Sequence, residues 1–362
     1  MRSREQQVLS LIRDDPMLPQ QEIAEQLGIS RSAVAGHIMN LSNKGLIKGR
    51  AYVLSDSPFV VVIGGANIDI HGKSLKALRR KDSNPGTVHT SAGGVARNIA
   101  ENLARLGVDA RLISAIGNDH HGQMLMRLSR DAGIDMRYVH EIALAPTSTY
   151  LSVLDDSGDM QIAIADMSII DQLDAKRLRP QQAMLQQSSL IILDCNLGDS
   201  ALAWLSNTFA DKTFFADTVS TAKATRIRPY LHSIHTLKTT ATEAEALTGL
   251  DARTQPQLRK LARHLHAEGV ERVFITRGVR GVFYSTNDEQ GMQKVNRSNQ
   301  EIKNAGGAGD AFLAGLAYTW LKDWPLSKTL RFALAAADIT LSHSATSSPA
   351  LSLAAVNHAM ET

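Results

Sequence analysis

The sequence predicts an α/β protein: a large domain with a mostly parallel central sheet between helical layers and a small β lid, preceded by a small helical module. Three observations lead there. From residue 59 onward, short β-rich apolar runs alternate with amphipathic segments of helix length, as in strands joined by crossover helices. Before residue 55, apolar residues recur chiefly at helical spacing. Between the two lies Ser55-Asp56-Ser57-Pro58, a polar, turn-prone break, so the expected domains are 1–55 and 56–362.

In the first module Val8, Leu9, Leu11 and Ile12 form one apolar helix face, and Ile23, Ala24 and Leu27 a second that ends at Gly28. Ser30 is the expected cap of a third helix, with Val34, Ile38 and Leu41 facing inward and Lys44-Gly45 closing it. The run from Gln21 to Val34 resembles the helix-turn-helix of winged DNA-binding domains, small Ala24 letting the helices cross closely and Gly28 making the turn. Leu46 to Leu54 then reads as a two-stranded wing. The resemblance implies that Arg31, Ser32, His37, Asn40 and Lys44 on the third helix, with Lys48 and Arg50 on the wing, meet DNA phosphates or base edges, and that the protein works as a homodimer. A three-helix adaptor that contacts protein fits the same pattern.

In the large domain the expected strands are 59–64, 110–116, 148–154, 160–164, 189–193, 213–217, 234–238, 272–276 and 281–284, with helices such as 95–106 and 255–268 between them. Segments of about 68–92 and 145–165 combine short strands with polar turns and are expected to form a separate small sheet over a cleft. Ser342 to Ser348 reads as a surface loop.

Composition narrows the class. The chain has 362 residues, 43% apolar, 21% charged and 5% aromatic, which excludes collagen-like, disulfide-scaffold and wholly disordered proteins. Cys195 is the single cysteine, so an internal disulfide and a thiolate zinc cluster are both excluded, and a buried apolar role is expected. No apolar run is long enough to span a bilayer and the N-terminus lacks a signal-peptide core, so a soluble, cytoplasmic protein without a membrane partner is expected. The net charge of +3 is too small to signal nucleic-acid binding for the whole chain, although residues 1–55 hold seven basic against five acidic side chains.

Two phosphate motifs fail on inspection. Gly72-Lys73-Ser74 ends like a P-loop but has Asn67 where that motif needs glycine, and Gly64-Gly65-Ala66-Asn67 lacks the third glycine of a dinucleotide fingerprint. The strongest chemical signal is Asn304-Ala305-Gly306-Gly307-Ala308-Gly309-Asp310-Ala311-Phe312 running into an apolar helix. Glycines ahead of a helix let the amides of Gly307, Ala308 and Gly309 converge on one spot, where the helix dipole would stabilise a phosphoryl group in transfer. Asp310 beside them is placed to take the proton of an attacking hydroxyl. The alternative for the motif by itself is Asp310 as a helix N-cap and the glycines as a tight turn.

At this motif the chain resembles the ribokinase (PfkB) family of carbohydrate and nucleoside kinases, over residues 59 to about 355. The resemblance implies a ribokinase-like three-layer fold, ATP and magnesium as cofactors with potassium as a further candidate, and Asp310 as base. Asn67-Ile68-Asp69 falls where the family places a sugar-binding aspartate, and Ser91 to Ala100 resembles its double-glycine motif, implicating Asp69, Gly93, Gly94 and Asn98 in substrate binding. Without the family, Asp69 reads equally as a turn residue and the glycine pair as a plain loop.

Thr240-Ala241-Thr242-Glu243 occupies the place of the family's N-x-x-E motif, so the resemblance gives Glu243 to magnesium, while Thr240 departs from the usual asparagine. Taken alone, Glu243 would be a solvated surface acid. Thr276-Arg277-Gly278-Val279-Arg280-Gly281 resembles the nucleotide-binding turn, implicating Thr276, Gly278 and Gly281. Within the family, Asp82 to Gly86, Gly94 to Ala100, Thr149 to Asp155, Asp194-Cys195-Asn196 and Asp217 to Ser220 look most like pseudouridine kinases. The expected activity is ATP-dependent phosphorylation of the 5′ hydroxyl of a nucleoside, with a purine or other nucleoside, or a free sugar, as alternatives. A transcription regulator whose kinase-like domain only senses a nucleoside is the alternative of another class, and retention of Asp310 argues against it.

Overall fold

A computed structural model describes residues 3–49, 58–295, 306–343 and 345–361. The central sheet has eight strands in the order Gln290–Gln293, Val282–Ser285, Arg272–Thr276, Ile234–Thr240, Phe214–Asp217, Leu190–Asp194, Phe59–Ile63 and Asp109–Ile113. The six from Arg272–Thr276 to Asp109–Ile113 are parallel, and the first two form an antiparallel hairpin at one edge. All five residues of Phe59–Ile63 are buried, as both faces of a covered parallel strand require. Val60 and Val62 pack with Ile99, Leu103, Phe312 and Leu313 on one side, and Val61 and Ile63 with Leu202, Leu205 and Leu261 on the other.

The two segments expected over the cleft form one four-stranded sheet, ordered Gly86–Gly93, Asn67–Ser74, Thr149–Leu154 and Met160–Asp166. Its register puts Asp69 on one face, and Val88, Leu151, Ile162 and Ile164 on the other, where they are exposed. Gly72-Lys73-Ser74 lies in this sheet as extended strand rather than as a phosphate loop.

Three expectations are corrected. The run 110–116 divides into Asp109–Ile113 in the main sheet and Ala115–Gly117, which pairs with His140–Ile142. The edge strand Gln290–Gln293 has too little apolar content to stand out in the sequence, because an edge strand is held by its ladder more than by burial. The Ser342–Ser348 stretch is not a surface loop throughout, since Ser347 and Ser348 are buried.

Helices Arg4–Asp14, Gln20–Leu27 and Arg31–Asn43 build the N-terminal module around Val8, Ile12, Ile23, Ala24, Val34, Ile38, Leu41 and Ile47. Gly28 makes the left-handed C-cap of the second helix, and Ser30 accepts from the Ala33 amide to cap the third. Of the expected wing, residues 46–49 are described, with Ile47 buried in the module's core, while 50–54 and residues 55–57 of the expected break lie outside the described residues. The module has its own core but docks on the sheet edge. Lys48 pairs with Asp109 at 2.7 Å, and the fully buried Arg111 donates to the Gly45 carbonyl at 3.1 Å while stacking over Phe59. Gly45 has φ +69°, and a Cβ there would lie 2.0 Å from Arg111 Nη1.

Candidate active site

The C-terminal ends of the parallel strands gather at one rim. Gly64-Gly65 follow Ile63, Asp194 ends its strand, Asp217 ends the next, and Thr240 and Thr276 lie side by side at the ends of theirs. This is where an open α/β sheet binds ligands, at the place where strand order departs in both directions from the first strand.

Helix Ala308–Leu321 starts at this rim with Gly307 as N-cap. Gly307 has φ +79°, and a Cβ would lie 1.7 Å from the Thr346 carbonyl oxygen, so no other residue fits. The first amides of such a helix have no acceptor within it and face the cleft. Asp310 is the third helical residue and no side chain caps this helix, which disposes of the N-cap reading. Its carboxylate is buried and accepts from Asn98 Nδ2 at 2.9 Å. Burial, reinforced by the charge of Asp217, pushes its pKa up to about 7, against the pull of Lys238 and the Asn98 hydrogen bond. A carboxylate titrating there is tuned for proton abstraction near neutrality.

Asn98 lies directly beside this carboxylate. Its amide nitrogen is given to Asp310, and its Oδ1 accepts from Arg97 at 2.7 Å and from Thr346 and Ser347 hydroxyls at 3.4 Å. One Nδ2 proton of this buried amide is thus committed to Asp310, and its oxygen is satisfied by protein donors.

Asp69 is the third residue of the strand Asn67–Ser74, not part of a turn. It is buried, accepts from Asn67 Nδ2 at 2.6 Å, and is raised in pKa by burial against the hydrogen bond from Asn67 and the nearby His71 and Arg97. Gly93 has its backbone against this carboxylate, for a Cβ would sit 2.1 Å from Oδ2. Gly94, at φ +100°, starts helix Val95–Arg105 and packs 2.5 Å, by the same construction, from the Ala66 Cα and the Gly65 carbonyl. Asp194 joins both glycine turns: its Oδ2 accepts from the Gly65 amide at 2.8 Å and the Ala96 amide at 3.0 Å. In the sequence it stood out only as part of the Asp194-Cys195-Asn196 segment of the family resemblance, with no role attached. Cys195 next to it is buried, and burial raises its thiol pKa well above the ordinary value.

On the other side, Thr240 caps helix Ala241–Thr248 in a capping box with Glu243. Glu243 Oε2 accepts from the Thr240 amide at 2.9 Å and from the Thr218 hydroxyl at 2.6 Å, so this acid is buried and not a solvated surface residue. Thr276 donates to the Thr239 carbonyl at 3.3 Å, and Gly278 adopts φ +58° in an open turn. Gly281 has a packing reason of its own, because a Cβ would lie 2.1 Å from the Gln293 carbonyl oxygen of the adjacent strand. Lys238, which the motifs did not single out, is buried against Asp217 at 2.9 Å. Among the described residues no cluster of three or more His, Cys, Asp or Glu side chains is arranged to hold a metal, and no helix is long and apolar enough to cross a membrane.

In the N-terminal module Arg31, Ser32 and Asn40 are exposed on the third helix and His37 is half-buried. Two of the residues expected to contact DNA have acidic partners within the protein. Lys44 is paired with Glu5 and Lys48 with Asp109, so both ammonium groups are engaged within the protein. Arg50 lies outside the described residues.

Comparison with known proteins agrees with this geometry. The family described as pfkB family carbohydrate kinase matches residues 57–353, and a winged helix-turn-helix DNA-binding family matches residues 1–48. The sugar kinase YeiI of Escherichia coli K12, itself uncharacterized, is 37% identical over 97% of both chains, and the pseudouridine kinase of the same organism is 39% identical over 84% of this chain and 96% of its own. A carbohydrate kinase from Agrobacterium tumefaciens superposes with TM-score 0.73 at 29% identity, covering 84% of this chain and 97% of its own. Arabidopsis thaliana ribokinase complexed with ribose and ATP shares the fold at TM-score 0.75 and 22% identity, covering 84% and 99%. The chain belongs to the pfkB family of carbohydrate kinases, and it is an ATP-dependent phosphotransferase of ribokinase-like fold behind a winged helix-turn-helix domain.

Proposed function

We propose that this kinase transfers the γ-phosphoryl group of ATP to the 5′ hydroxyl of a nucleoside, with pseudouridine the first candidate. The observation that carries the reading is Asp310, a carboxyl tuned to about 7 at the mouth of a glycine-started helix. Asp69 would accept hydrogen bonds from two ribose hydroxyls, as an ionised carboxylate can. With the ribose so held, Asp310 takes the 5′ proton as that oxygen bonds to phosphorus and ADP leaves. The helix amides of Ala308 and Gly309 face the charge that develops on the phosphoryl oxygens. Thr276 and Gly278 are the candidate nucleotide contacts. Magnesium fits beside Glu243, whose Oε1 is left by the capping box, because this ion binds through one or two carboxylates plus substrate phosphates. When bound, it would neutralise charge on those phosphates.

Pseudouridine is favoured by the 39% identity to a pseudouridine kinase, a guanosine-inosine kinase being 27% identical over 271 residues. The test is turnover with ATP across pseudouridine, uridine, purine nucleosides and ribose, with the phosphate position read by NMR. One ADP per nucleoside 5′-phosphate is expected; turnover of ribose alone would overturn the nucleoside assignment.

The N-terminal module is proposed to bind DNA through Arg31, Ser32, His37 and Asn40, as a homodimer that reads two half-sites. The exposed apolar lid face at Val88, Leu151, Ile162 and Ile164 supports self-association. Selection from genomic fragments at low salt, with light scattering for the oligomer, checks both; absence of any enriched sequence would leave the adaptor reading.

A further inference from the structure

We propose that Lys238 is a further catalytic residue, its ammonium group meeting the γ-phosphoryl oxygens beneath the glycine turn, and that Asp217 is the residue that positions it. This rests on the kinase reading above. Lys238 lies on the strand Ile234–Thr240 and is 5% exposed, with Nζ 2.9 Å from Asp217 Oδ2. A Cβ built at Gly309 would lie 2.4 Å from that Nζ and 3.0 Å from Cε. The ammonium is therefore packed on the main chain of the first helical turn, whose amides face the transferred group. Glycine at 309 is explained by this contact, since any side chain there would displace the lysine.

An ammonium has three donors. One is committed to Asp217, and the ammonium forms no other hydrogen bond among the described residues. Burial pulls the Lys238 pKa down, yet Asp217, Asp310 and Glu243 together hold it above its ordinary value, so it stays charged. Asp194, Asp217, Glu243 and Asp310 crowd this rim, and the phosphates of a nucleotide entering it need a counter-charge that the helix dipole supplies only in part.

The turn that presents Asp217 is itself strained. Val219 is a β-branched residue at φ +65°, an unfavourable conformation, held where Asp217 Oδ1 accepts from the Val219 amide at 2.7 Å. One carboxylate thus fixes both the turn and the lysine, while the neighbouring Thr218 hydroxyl is tied to Glu243. In the transfer, the bond from phosphorus to the ADP oxygen breaks as the bond to the 5′ oxygen forms. Lys238 keeps its protons throughout and donates hydrogen bonds to non-bridging oxygens, and the 5′ proton goes to Asp310.

The test uses the full-length protein with Lys238→Met and Lys238→Arg, and with Lys238→Met combined with Asp217→Asn so that no unpaired buried charge threatens folding. The expected result is a kcat loss of about 10² to 10³ in both methionine variants, nucleoside affinity by calorimetry without ATP within about twofold of the parent, and recovery of at least about tenfold by arginine. A kcat within about threefold of the parent in the methionine variants, or an equal loss in nucleoside affinity, overturns the proposal. If the parent turns over no nucleoside or sugar, it is the substrate reading that fails. Lys238 is then judged by magnesium-ATP binding, expected to weaken at least about tenfold in Lys238→Met; equal binding overturns it.

Discussion

Replacing Asp310 by asparagine removes the proposed base while keeping its shape and its neighbour Asn98. The carboxyl is held at about 7, so it is mostly protonated in the folded protein below that pH and ionised above it. Parent turnover should therefore climb about tenfold per pH unit up to roughly 7 and then level off. Asp310→Asn should lower kcat by about 10² to 10⁴ at pH 8 and flatten that limb. Stability should move the other way. An acid raised from 3.8 to about 7 on folding binds its proton more tightly in the native state, so ionising it costs stability as pH rises from about 4 to 7. At about 1.4 kcal/mol per pH unit the ceiling on that cost is roughly 4 kcal/mol. A neutral amide escapes the cost, so the variant should melt higher than the parent at pH 8, with the difference fading towards pH 4. Steady-state kinetics and thermal melts over pH 4 to 9 measure both. Parent-like turnover in the variant, or a parent profile without a limb between pH 6 and 8, would refute the assignment.

Asp69→Ala should weaken nucleoside binding by roughly 2 to 4 kcal/mol, about 30- to 1000-fold, as expected for a charge-assisted contact to two hydroxyls. Calorimetry should find ATP affinity almost unchanged, and a 2′,3′-dideoxynucleoside should bind the parent as poorly as the nucleoside binds the variant. Gly307→Ala forces a Cβ to within 1.7 Å of the Thr346 carbonyl at φ +79°, so it should cost at least about 1 to 3 kcal/mol and lower kcat by displacing the helix start. Gly45→Ala combines φ +69° with a Cβ 2.0 Å from Arg111 Nη1, so melting should fall by an amount corresponding to about 1 to 3 kcal/mol. Pairing it with Arg111→Ala should restore part of that loss, and complete additivity in the double variant would argue against the contact.

Much of this protein was legible from residue order alone, because strand and helix periodicity and the glycine-aspartate start of a helix are local. The parallel strands from Phe59 to Thr276, the helix of Asp310 and the three N-terminal helices are of this kind. The nearness of Asp69 to Gly93 and Gly94 was implied only by the family resemblance, and the strand pair that brings them together is a feature of the fold. What needed the tertiary structure is every partnership formed across long sequence separations. Asn98 meets Asp310 across 212 positions, Lys238 meets Asp217 and Gly309, and Lys48 meets Asp109. A side chain's type states which hydrogen bonds it can make, but only the packed fold, in which a buried polar group must find a partner or pay for its desolvation, selects among them. For the same reason Thr346 and Ser347, polar by type, close on Gly307 and Asn98.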